Sequence, residues 1–325
     1  MEPAYSLPSA GDNRAGEDAV VRSAAEEALG NLNGSVVVVD TSTGRVLAMV
    51  NQKLALSKGY MPCSTIKLVA GMAALNEGLV DEDTKVWFDG QWFMTMTEGL
   101  AISNNVYFAH LGQTMGFETV RRYANLFGFG EKAGWKIDGE QPGVFPEAED
   151  DMGVGRMTSF GDGISVTPLQ MAAYVSALAN GGTLYYLQTP RTGQEIENFR
   201  PKVKRELPIA KWIPALEKGM AEAVRRGTGR RAKLRDHAIW GKTGTCSQYE
   251  RPVRTRLGWF TSFNDIGGRR LAVVVMLRGG ASHGPQAAGI SGKIYQTLAQ
   301  AEYFTSARPK RELASVDSGA CCSSF

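Results

Sequence analysis

Three short motifs hold the residues of this chain that could do chemistry together: Ser64-Thr65-Ile66-Lys67, Ser103-Asn104-Asn105 and Lys242-Thr243-Gly244-Thr245. A serine is a weak nucleophile until a neighbouring base takes its proton, and a lysine can be that base once burial or a second cation disfavours its charge. Ser64 and Lys67 are three residues apart, so on a helix they share a face and the amine can reach the hydroxyl. Lys242 would be the second cation. First-turn N–H groups of the same helix would favour negative charge at the reacting centre. Together the residues describe a serine acyl-transfer site. Each motif also has a plainer reading. Ser64 could cap a core helix while Lys67 reaches solvent. Ser-x-Asn recurs at Ser262-Phe263-Asn264, and a Ser-Asn-Asn run commonly forms a turn or helix cap. Residues 242–245 could be an ordinary edge strand with a bulge.

The elements that must position these groups can be read around them. Pro62 and Cys63 lead into the apolar run 68–75, which reads as a buried helix beginning near Ser64. Leu100-Ala101-Ile102 and Val106-Tyr107-Phe108-Ala109 flank the second motif, so its polar groups sit in an apolar frame and need partners, of which a substrate could be one. The third motif follows His237-Ala238-Ile239-Trp240 and precedes two further strand-like runs. A lysine, two hydroxyls and a glycine on one strand edge suit an anionic, extended ligand. Gly244 would let the ligand backbone approach, while Lys242, Thr243 and Thr245 could bind a carboxylate.

Along the chain, residues 1–14 read as a polar leader without fixed structure, followed by a helix through Val20, Val21, Ala24, Ala25 and Leu29. A hairpin is expected at 35–40 and 45–50, turning at Thr41-Ser42-Thr43-Gly44. The stretch from the first motif to about Gly181 reads as mainly helical. Strands are expected at 238–246, 257–263 and 271–277, then a helix at 286–301. Strand runs separated by a helical block predict an α+β fold: an antiparallel sheet flanked by helices, with an inserted all-helical subdomain and the site in the cleft between them. One domain is expected over 15–306, with a disordered polar tail at 307–325. Gly128-Phe129-Gly130 follows a helix-like segment rather than a strand, which argues against a dinucleotide site. His110, His237 and His283 have no ligand spacing, so neither a metal nor a cofactor is expected.

Composition excludes several classes. The 325 residues, 43% hydrophobic and 21% charged, suit a globular protein with an ordinary core. A net charge of +3 gives no footprint for nucleic acid, and the cluster Arg225, Arg226, Arg230 and Arg231 reads as a solvated turn. No apolar run approaches the ~18 residues that span a bilayer. The opening Met1-Glu2-Pro3-Ala4-Tyr5-Ser6 shows neither a basic nor an apolar region of an export signal.

The order SxxK, SxN, KTG resembles the penicillin-binding protein transpeptidases and the serine β-lactamases. The likeness extends to the hairpin Gly34 to Val50, to Gly161-Asp162-Gly163-Ile164-Ser165-Val166-Thr167-Pro168-Leu169-Gln170-Met171-Ala172, with Asp162 where glutamine is more usual, and to Arg226-Gly227-Thr228-Gly229. In all it covers about residues 17–304. The resemblance implies a class B-like D,D-transpeptidase acting on D-Ala-D-Ala stem peptides of peptidoglycan and acylated by β-lactam antibiotics. Ser64 would attack the penultimate D-alanine carbonyl with Lys67 as base, and Ser103 would relay the proton to the departing D-alanine. Asn105 would bind the substrate backbone, Lys242 would hold Ser103, and Thr243 and Thr245 would bind the terminal carboxylate. The N–H groups of Ser64 and Thr245 would form the oxyanion hole. Such enzymes work outside the cytoplasmic membrane, beside other cell-wall synthesis proteins, so a membrane anchor or signal outside this sequence is expected.

Cys63 immediately precedes the first motif and Cys246 follows the third. Class A β-lactamases with carbapenem-hydrolysing activity join these motif-relative positions by a disulfide, so the resemblance implies a Cys63–Cys246 bond and an oxidising compartment. Two buried free thiols are the alternative. Cys321 and Cys322 offer no zinc spacing. A β-lactamase shares the acylation groups, but the Glu-x-x-Leu-Asn motif of class A is absent and Asn105 departs from the SxV of class D. A sensor domain that acylates once, or a D,D-carboxypeptidase that uses water in place of an amine, would keep all three motifs.

Overall fold

A computed structural model describes residues 2–250 and 253–305. Five antiparallel strands form the central sheet: β1 (Gly34–Asp40), β2 (Arg45–Val50), β3 (Ala238–Glu250), β4 (Val253–Asp265) and β5 (Leu271–Arg278), in the order β2-β1-β5-β4-β3. The four valines of β1 explain its interior place, between β2 and β5. Val37 and Val39 face one hydrophobic cluster, Val36 and Val38 the other, and none is exposed to solvent. A strand buried on both faces reads as a continuous β-branched run, and this one does.

Two helices cover one face of the sheet: α1 (Ala19–Leu29), whose first N–H groups are capped by Asp18, and the C-terminal Gly284–Gln300. The other face packs on α2 (Pro168–Ala179), all twelve residues of which are buried. Thr167 and Gln170 close a capping box at its start. Beyond it lies a helical block containing Lys67–Asn76, Met96–Ala101, Asn105–Met115, Phe117–Leu126 and Gly153–Phe160. The Tyr174 hydroxyl donates to the Leu68 carbonyl at 3.0 Å and links α2 to the Lys67–Asn76 helix. That helix is apolar on every side and buried from Lys67 to Leu75, as an interior helix should be.

The α+β architecture and its antiparallel sheet match the sequence expectation, with strand and helix ends shifted by a few residues. Two small hairpins were not anticipated, Val86–Phe88 with Trp92–Met94 and Thr183–Tyr186 with Lys202–Glu206, nor was the helix Ile213–Arg225.

The leader departs from its expected disorder. Glu2 pairs with Arg278 at 2.7 Å, Tyr5 bridges Leu32, and Asp12 enters a buried charge cluster. Arg22 is the centre of that cluster. Its guanidinium donates to Asp12, Glu17, Glu26 and the Met49 carbonyl at 2.8–3.0 Å. Asp12 also accepts from the N–H groups of Asn51 and Gln52 at 2.8 Å, which ties the leader to the end of β2. Polarity alone suggested a free segment; paired carboxylates make it an ordered one. The expected tail at 307–325, with Cys321 and Cys322, lies outside the described residues.

Removing Arg22 would leave the buried carboxylates of Asp12 and Glu17 uncompensated. Arg22→Ala should therefore lower unfolding stability by about 3–5 kcal/mol, read as a shift in the urea midpoint. A loss below about 1 kcal/mol would show that the cluster is a solvated surface network.

Candidate active site

The chain reaches Ser64 through an unusual turn. Cys63 has φ of 52° in the left-handed region, and a 3₁₀ turn, Cys63–Ile66, then feeds the helix Lys67–Asn76. Several contacts hold this turn against the sheet. The Met61 carbonyl accepts from Trp259 Nε1 at 3.0 Å, and its N–H donates to Gln248 Oε1 at 3.0 Å. A disulfide joins Cys63 to Cys246, with Cα atoms 5.5 Å apart. The expectation taken from the β-lactamase likeness is thus met here, and free thiols are not.

Gly244 has a different reason from the one anticipated. A Cβ there would lie 2.9 Å from the Pro62 carbonyl oxygen and 3.2 Å from Cys63 Cβ. The missing side chain therefore lets β3 press on the turn before Ser64, whereas the sequence reading gave that space to a ligand.

Ser103 also has a left-handed φ, of 58°, in the turn between Met96–Ala101 and Asn105–Met115. Asn104 caps the second helix by accepting from the Tyr107 N–H at 2.9 Å. The run is therefore a helix cap, as the plainer reading had it, and the cap is also what places Ser103 and Asn105 beside Lys67.

The four reacting-type side chains meet. Lys67 Nζ lies 3.1 Å from Ser64 Oγ and 3.2 Å from Ser103 Oγ, and donates to the Ser103 carbonyl at 2.7 Å and to Asn105 Oδ1 at 2.6 Å. Lys242 Nζ donates to Ser103 Oγ at 2.7 Å and to the Thr243 carbonyl at 3.0 Å. Both lysines are 0% exposed. Burial pushes Lys67 down to about 7, and burial together with the charge of Lys67 holds Lys242 well below the usual lysine range. Among the described residues neither amine has a carboxylate partner.

The donor count at Lys67 has a chemical consequence. A neutral amine has two N–H bonds and one lone pair. The two closest partners, the Ser103 carbonyl and Asn105 Oδ1, can only accept, so they use the two N–H bonds. The lone pair is left for a hydroxyl, and Ser64 is in reach. With Asn105 Oδ1 occupied, its amide N–H groups are the ones free to meet a ligand carbonyl.

Thr243 and Thr245 are oriented as well. Thr243 Oγ1 shares a hydrogen bond of 2.6 Å with Thr228 Oγ1, and Thr245 Oγ1 accepts from the Gly284 N–H at 2.8 Å, which leaves its proton to donate elsewhere. Thr228 was read only as part of a family stretch. Trp259 and Gln248 had no local signal, since each acts on a residue nearly two hundred positions away.

The profile of the penicillin binding protein transpeptidase domain matches residues 34–299. Stage V sporulation protein D of Bacillus subtilis is 34% identical over 228 residues, which is 62% of this chain and 35% of that protein. Peptidoglycan D,D-transpeptidase MrdA of Acinetobacter baumannii is 25% identical over 349 residues, 83% of this chain and 51% of that protein. This chain therefore spans about half or less of these relatives. Among solved structures, the transpeptidase domain of Burkholderia pseudomallei penicillin-binding protein 3 superposes with a TM-score of 0.75 at 20% identity, covering 89% of this chain and 96% of that one. The matched profile covers most of the sequence and all three motifs, and the chain belongs to the penicillin-binding protein transpeptidase family.

Proposed function

We propose that this chain is the acyl-transfer domain of a peptidoglycan D,D-transpeptidase, with Ser64 as nucleophile, and that β-lactams acylate the same hydroxyl. The observation that carries the reading is the setting of Lys67 Nζ, whose two closest partners are carbonyl acceptors that use the N–H bonds of a neutral amine and leave its lone pair for a hydroxyl, with Ser64 Oγ 3.1 Å away. Ser64 attacks the carbonyl of the penultimate D-alanine as Lys67 takes its proton. Ser103, in contact with both amines, passes that proton to the departing D-alanine. Asn105 binds the donor backbone, and Thr243 and Thr245 hold the terminal carboxylate. The N–H groups of Ser64 and Thr245 receive the developing oxyanion, an interaction of about 3–4 kcal/mol per donor. Gly244 supports this pairing, because its contact with Pro62 and Cys63 brings the two backbone segments together.

An amine of a second stem peptide then resolves the acyl-enzyme. This chemistry belongs outside the cytoplasmic membrane, and a Cys63–Cys246 disulfide fits that compartment. No helix among the described residues is long and apolar enough to cross a membrane.

Labelling with a fluorescent penicillin should give a long-lived, stoichiometric adduct with the wild type and none with Ser64→Ala. Rapid catalytic hydrolysis of the penicillin would assign a β-lactamase instead. The second-order rate of acylation should fall about tenfold per pH unit below the Lys67 pKa of about 7, where the amine is protonated and has no lone pair. Lys67→Arg, which cannot lose its proton, should lower that rate by about 10³-fold or more; a flat pH profile would exclude Lys67 as the base. Joint replacement Cys63→Ala and Cys246→Ala should cost about 2–4 kcal/mol of stability and slow acylation, because the turn before Ser64 is released from β3. An acylation rate equal to that of the wild type would make the disulfide a stability element alone.

A further inference from the structure

Thr228, hydrogen-bonded to Thr243, lines a cavity of about 490 Å³ whose walls include three of the four arginines that the sequence assigned to a solvated turn. Ile102, next to Ser103, lines it on one side and His283, the cap of Gly284–Gln300, on another. Arg226, Arg230 and Arg231 face it from the loop that carries Thr228. Arg226 is paired with Glu222, which also holds Arg225. Arg230 and Arg231 are exposed and have no carboxylate partner among the described residues. His283 Nδ1 accepts from the Gln286 N–H at 3.0 Å, so the neutral ring carries its proton on Nε2 as a further donor. The cavity thus has guanidinium and imidazole donors on several sides, whereas Lys67 and Lys242 at the reacting centre resist charge.

Position gives this charge a use, and the inference rests on the acyl-transfer reading above. Thr243 is hydrogen-bonded to Thr228, which lines the cavity, and Thr245 to the N–H of Gly284, next to the lining residue His283, so a leaving-residue carboxylate held by Thr243 and Thr245 would lie beside the arginines. We infer that the cavity is a subsite for a second anionic group on the leaving side of the scissile bond. Guanidinium groups bind such oxygens in paired hydrogen bonds, and a concave setting strengthens the attraction. An acyl donor with an acidic leaving residue is therefore preferred over one with a basic residue.

The test uses two cephalosporins that differ only in the charge of the C3 substituent, one anionic and one cationic, and measures the second-order rate at which each acylates Ser64. The ratio should favour the anionic compound by about tenfold at low ionic strength and shrink at high salt. In the double variant Arg230→Glu and Arg231→Glu the ratio should invert. A ratio is independent of the fraction of protein that is folded, and inversion cannot arise from misfolding. Peptides ending in D-Ala-D-Asp and D-Ala-D-Lys, assayed for release of the terminal residue, extend the test from β-lactams to peptide leaving groups and should give the same order. Equal rates for both cephalosporins, or a ratio that the double variant leaves unchanged, would remove the subsite while leaving the acyl-transfer reading intact. Failure of every β-lactam to label Ser64 would overturn both.

Discussion

Two amines buried side by side, with no carboxylate among the described residues to balance them, are the constraint on which this structure turns. Desolvation disfavours the charged form of each, and the charge of Lys67 adds repulsion at Lys242. For Lys67, a shift from 10.5 to about 7 costs the fold roughly 5 kcal/mol at pH 7 and below. The sign follows from proton binding. Between pH 7 and 10.5 the unfolded chain holds a proton that the folded chain has released, so the fold gains stability as pH rises through that window. A sheet buried on both faces and an apolar helix block supply the core that tolerates such a site.

Keeping the amines close without letting them escape to solvent requires three separate backbone segments to stay in register. The Ser64 turn is held by the Cys63–Cys246 disulfide, by Trp259 and Gln248 on Met61, and by the absence of a side chain at Gly244. The Ser103 turn is held by the Asn104 cap and by contact with both lysines. A third tie runs from the Thr228 N–H to the Ala101 carbonyl at 3.2 Å, joining the loop beside Thr243 to the helix before Ser103. Cys63 and Ser103 both have left-handed φ. Strained residues of this kind persist only where their surroundings over-determine them, and here both precede or carry a reacting side chain.

What could be read in advance was whatever is written locally. Ser64 with Lys67, and Lys242 with Thr243 and Thr245, combine uncommon side chains within a few positions. The strands of the sheet are equally local, because Val36 to Val39 and Val273 to Val275 declare a strand buried on both faces. The features not foreseen depend on contacts across the chain. Arg22 looks like one more charge on a helix until Asp12 and Glu17 fold onto it. Thr228 is a common residue in a glycine-rich turn until Thr243 meets it. Gly244 was read as making room for a ligand backbone, whereas a side chain there would meet Pro62 and Cys63, because sequence spacing says that space is needed and not what fills it.

The burial that would make Lys67 a base in the proposed mechanism would also make it an acid at the next step. In the proposed mechanism, once Lys67 has taken the Ser64 proton its charge lies in a dry pocket, and burial favours giving that proton up. Ser103 Oγ stands 3.2 Å from Lys67 and 2.7 Å from Lys242, so a hydroxyl able to accept one proton and release another sits on the shortest path out. Lys242 donates to that oxygen, which turns the Ser103 proton away from it. Asn105 and the Ser103 carbonyl meanwhile keep the Lys67 nitrogen fixed through both transfers. A carboxylate between the two amines would hold the proton on Lys67 after the first transfer. With none beside them among the described residues, the proposed mechanism has one nitrogen serve in both directions near neutral pH.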